Sequence, residues 1–202
     1  MKIKHCRNKR EYNLVREYKE SWSFLKNSKY YLLGVAVTFL LFFIIGVVIP
    51  IPEVVTGLIK EWINQVLKET EGLGFFGMWL FIFKNNVSIA FLAIFLGLFF
   101  SLFPALSLIF NAYFVGAVTS MVVKQTSFTE LWRLLPHGIF ELPAIFISFA
   151  VGIKMGTFIL HKDPWEKMKE YLKGGFGVFI YFVVPLLIIA AIIEATLIIF
   201  ME

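Results

Sequence analysis

One cysteine, three histidines and 14 acidic residues supply all the thiol, imidazole and carboxylate chemistry of this 202-residue chain. The lone Cys6 excludes an intramolecular disulfide and any multi-thiolate metal site within one chain. Charged residues make up 16%, well under the roughly 25% of a soluble domain. The H-E-x-x-H, G-x-S-x-G and P-loop patterns are all missing, so the common zinc-protease, serine-hydrolase and nucleotide-hydrolase signatures are not here. No A-x-A site follows the first apolar run, and the basic stretch ahead of it is too long for a secretory signal peptide.

What the chain has is oil. Hydrophobic residues are 59% and aromatics 18%, with a mean hydropathy of +0.80. They gather into runs of roughly 20, the length that crosses a hydrocarbon core. The fold class is therefore all-α: a polytopic bundle of five spans in a cell membrane, with amphipathic interfacial helices. The net charge of +5 and pI near 9.3 raise nucleic acid as a partner. The bases cluster beside spans, however, which points to the lipid bilayer and its head groups, with no nucleic acid.

Residues 1–29 carry nine Lys and Arg against Glu11, Glu17 and Glu20. Tyr12, Val15, Tyr18, Trp22 and Leu25 recur at helical spacing, so the segment reads as a basic amphipathic helix on the membrane surface. The first span is 30–49, closed by Pro50 and Pro52. Residues 53–71 form an amphipathic helix too polar to span, either interfacial or a docking face for a partner. The apolar stretch from Lys84 to Val123 is too long for one crossing, so it divides near Pro104 into spans 84–103 and 105–123. That uncharged turn must be covered by protein or lie at the head groups; the N-terminal helix is one candidate cover. Ser127 and Glu130 fit a capping box that opens a short helix ending at Pro136. The fourth span is 136–160. Asp163, Pro164 and Glu166 start a basic connector that ends at Gly174 and Gly175. The fifth span is 176–200. The positive-inside rule places the N-terminus in the cytoplasm and the C-terminus outside.

Small residues recur at helical spacing in four spans and read as packing seams that also serve a homo-oligomer. The carboxylates differ, because an ionisable group inside a membrane is a functional candidate. Glu141 and Glu194 each fall about 9–10 Å from the centre of their spans toward the outer face. Asn85, Asn86 and Asn111 make up a polar cluster, the first two coming to nearly the same level from the second span. His137 lies one turn above Glu141. Pro143 kinks the helix and denies the carbonyl of Ile139 its usual partner. A Glu pair, a His and a freed carbonyl suit a divalent metal ion or a proton relay. The other reading is that Glu141 is hydrogen-bonded and locks the bundle.

The segment LLPHGIFELPAIFISFAVGIKMG, with NNVSIAFLAIFLGLFFSLFPALSLIFNAYFVGAV upstream, resembles the stage II sporulation protein M family of integral membrane proteins. The resemblance covers roughly residues 84–160 and departs at Ala112, where the family often has Gly directly after the Asn. It implies a membrane anchor for envelope partners, which in spore formers is linked to septal peptidoglycan remodelling. Three readings stand: a non-enzymatic scaffold recruiting partners through 53–71; a transporter or channel-like protein with an ion site at Glu141, Glu194 and His137; and an intramembrane metal-dependent hydrolase on the same residues.

Overall fold

The computed structural model describes residues 2–49, 53–99, 101–125 and 135–200, and the side chains of all these except 2–12, 54, 125 and 135–137. Among the described residues every element is helical: α1 (Lys2–Lys26), α2 (Lys29–Val48), α3 (Glu53–Thr70), α4 (Phe75–Phe95), α5 (Leu102–Gln125), α6 (Leu135–Gly156), α7 (Pro164–Val178) and α8 (Val184–Phe200). Five helices among the described residues are long and apolar enough to cross a membrane. The chain is a multi-pass helical membrane protein. The capping box at Ser127 and Glu130 lies outside the described residues.

The fourth span is the axis of the bundle. Of its most apolar 18-residue stretch 56% is buried inside the protein, against 11% for that of α2. The helix α6 touches α2, α4, α5 and α8, while α2 pairs mainly with α5 on one flank. Close approach is set by small residues, as the sequence stripes imply. A Cβ at Gly152 would collide with the carbonyl of Ala93, and one at Gly97 with the backbone of Gly152. Gly46 and Gly116 play the same part between α2 and α5. These seams are filled within the chain, so a second copy would have to use another surface.

Three boundaries differ from the sequence reading. The second span starts at Phe75, not Lys84. Gly72, at φ 74°, and Gly74 turn the chain, and the apolar Phe75–Phe83 run enters the helix directly, carrying Lys84, Asn85 and Asn86 inside it. The break before the third span lies around Ser101, at φ 55°, and Pro104 sits buried in the first turn of α5. There its missing N–H is no loss. The Ser101 hydroxyl donates to Ile153 O at 2.6 Å, so the cover of this turn is α6 rather than the N-terminal helix.

The third difference concerns α7 and α8. The connector does not end at Gly174 and Gly175; it runs into the last span through a π turn at Phe179–Val183. Pro185 lacks the N–H that Tyr181 O would need, and the wider turn absorbs the mismatch, with Val184 N–H reaching back to Phe179 O. The glycines serve packing: Phe24 of α1 lies on Gly174, Ser21 on Gly177, and Met155 on Gly175. The helix α7 begins as its sequence suggests, with Pro164 at the first position, although the Asp163 side chain makes no capping bond.

Candidate functional site

Two packed helices carry the carboxylates. Glu141 stands on α6 and Glu194 on α8, which pack against each other, and both are half-buried. The helix α6 runs on through Pro143, which is exposed. Pro143 still has no N–H to offer Ile139 O.

Register brings a third group to the same place. Gly97 abuts Gly152 and Ser101 abuts Gly156, a constant offset along the α4–α6 seam. Nearer the site, Ala90 of α4 and Ala144 of α6 share a packed cluster, so Asn86 and Glu141, about one turn before each, stand at a similar level. Asn86 is buried, and its amide oxygen accepts from Asn85 Nδ2 at 3.3 Å. Ile82 shares a packed cluster with Ala191 and Ala195, and Ala90 one with Leu187, so Glu194 lies about a turn nearer the N-terminal end of α4 than Asn86. Because α4 starts at Phe75, Asn86 is at mid-span and not at the mouth.

Asn111 does not join them. It donates to Ser107 O of its own helix at 2.7 Å. The His137 backbone belongs to α6, but its side chain lies outside the described residues. Among the described residues no group of three His, Cys, Asp or Glu side chains converges. The donors for a hard cation are thus two carboxylates and an amide oxygen, a partial set beside the six to eight oxygens calcium takes. Trp79 Nε1, two turns N-terminal of Asn86 on α4, is buried without a hydrogen-bond partner among the described residues.

A second constellation was missed in the sequence. Lys154, which could snorkel to the head groups, is instead buried. Its ammonium donates to Phe24 O at 3.2 Å and Ser28 Oγ at 3.0 Å, at the C-terminal end of α1. It lies over the Phe24 ring at 3.9 Å, with the Tyr171 ring at 5.6 Å. A cation at a helix C-terminus meets the negative end of the helix dipole and the carbonyls left over there. A lone Lys in an apolar run was the available signal; which carbonyl it would meet was not.

Around this point α1 is fastened to α7 and to the entry of the last span. Trp22 stacks on Phe182, with ring centres 5.5 Å apart, and Tyr181 donates to Glu17 at 3.1 Å. Lys173 donates to Glu20 at 2.6 Å. That bond, with Lys173 and Arg16 as charges, holds the Glu20 carboxyl below the usual range. Between α1 and α7 lies a cleft of about 530 Å³.

The stage II sporulation protein M family model matches residues 35–197. An uncharacterized protein of Methanocaldococcus jannaschii is 30% identical over 119 residues, 56% of this chain. That stretch is 66% of the relative, so this chain spans just under two thirds of its length. No solved structure matches.

Proposed function

The chain belongs to the stage II sporulation protein M family, and from that membership we propose that it acts as a membrane scaffold, anchoring envelope proteins through α3. The observation that carries this reading is the divided apolar surface of α3. Ile59 is buried and Trp62 sets its ring edge-on to Phe114 of α5, yet Leu58 and Leu67 stay 61% exposed. One edge is used by the bundle and the other is left to a partner. A photo-crosslinking residue at Leu58 or Leu67 in cells should yield a discrete protein adduct, while one at Leu106 on the exposed side of α5 should not. Lipid adducts alone from all three positions would sink the scaffold reading. Self-association then falls to the exposed ridge of α2, which presents Leu33, Val37, Leu40 and Ile44.

A second reading rests on the meeting of Glu141 and Glu194 with Asn86 in register. A carboxylate pair in low dielectric is costly unless it holds a proton or a cation. Replacing Glu141 or Glu194 singly by Gln should change metal content or proton flux in vesicles if this is an ion site. A bundle lock would instead lose stability by about 1–3 kcal/mol with no change in either. If stability, metal content and flux all stay put, the cluster has neither role.

A further inference from the structure

The cleft between α1 and α7 has a mixed lining. Phe24, Phe176 and Ile180 make its apolar side. Glu17, Glu20, Glu170 and Lys173 stand at its polar side. Three acids against one base is the reverse of the rest of this face, where α1 and α7 are rich in Lys and Arg. Lys173 and Phe176 are three residues apart, so the cleft straddles the level where the polar connector becomes apolar span. That is the level of lipid head groups. Phe176 is 55% and Ile180 42% exposed beside it. At that level acyl chains are at hand to cover such rings and branched chains.

We infer that this cleft binds an amino-phospholipid, its ammonium on Glu17 and Glu170, its phosphate on Lys173 and its acyl chains along Phe176 and Ile180. The charge pattern selects the head group. The ammonium finds carboxylates that retain acceptor capacity, since each offers two oxygens and about four lone pairs. The phosphate finds an ammonium with three N–H donors, of which Glu20 engages one. An anionic lipid without an amine would bring its charge against three carboxylates. The volume lies within the roughly 300–1,000 Å³ of ordinary ligand sites.

The test uses the full chain in nanodiscs of equimolar phosphatidylethanolamine and phosphatidylglycerol, with the lipids retained after delipidating gel filtration counted by mass spectrometry. Phosphatidylethanolamine should be enriched roughly fivefold on the protein, the scale of one charge at a head group. In the double variant Glu17→Gln, Glu170→Gln the enrichment should vanish, with helix content by circular dichroism unchanged. The single variant Glu170→Gln serves if the double one fails to fold, since Glu170 is exposed and its ion pair among the described residues is the local one with Lys167. Equal retention of the two lipids by the wild type, preference for phosphatidylglycerol, or enrichment that survives these substitutions would each overturn the assignment.

Discussion

A lysine in an apolar helix can reach for the head groups, pair with an acid, or spend its donors on backbone. Lys154 takes the third course, and the carbonyl it takes belongs to another helix, at Phe24. The Ser28 hydroxyl passes the interaction on by donating to the same carbonyl at 2.8 Å. Replacing Lys154 by Met keeps the bulk and removes the donors. Global stability should move by no more than about 1–2 kcal/mol, because an apolar isostere relieves a buried charge. The last turn of α1 should nevertheless exchange its amide hydrogens roughly tenfold faster, the worth of one charged hydrogen bond. Unchanged exchange at residues 24–28 would mean that Lys154 does not hold α1. At this scale the residue types were legible, and so was the anomaly of a charge in oil; the partner was not, because it lies 130 positions away.

Among the elements, α4 and α6 show how little side chain a membrane seam needs. Ala93, Gly97, Ser148 and Gly152 are buried where the two backbones meet, and such contact replaces the hydrophobic drive that lipid does not supply. Gly152→Leu has no accommodating rotamer, since its Cβ already meets the carbonyl of Ala93 and the ring of Pro104. Thermal unfolding in detergent should show a loss of about 3 kcal/mol or more, at the upper end of overpacking. Gly34→Leu, on the open face of α2, should be neutral, and this pair of results separates packing from intrinsic helix preference. The stripes themselves were visible in the sequence at helical spacing. Boundaries were harder: Lys84 reads as the mouth of a span, yet the helix begins at Phe75, because a single Lys costs less than unwinding an apolar run.

For the whole molecule, the basic α1 and α7 lie together and α3 belongs with the other face. We propose the side with α1 and α7 as the cytoplasmic one, following the concentration of Lys and Arg there. A cysteine at Lys162 should then react with an impermeant maleimide only after the cells are opened, and one at Lys68 should react in intact cells. The reverse pattern would invert the topology. Packing of α1 on α7 adds a reason for that arrangement, since the Lys173–Glu20 bond joins segments that both flank the same membrane surface.

Composition and periodicity determined the class, the number of spans and the polar residues within them, because a bilayer punishes every unpaired backbone group and every stray charge in a way that is local to the chain. They also placed Glu141 and Glu194 toward one side. Only the tertiary structure decided which of those groups meet. The helices that carry Glu141 and Glu194 pack against each other, Asn86 stands on a third helix packed against both, and Asn111 turns back on its own helix. It likewise placed Lys154 under α1 and opened the cleft beside Lys173. The reason is geometric: spacing fixes the face of a helix on which a residue stands, while its neighbour depends on rotation and offset between helices, which glycines such as Gly97 and Gly152 set at points far apart in the chain.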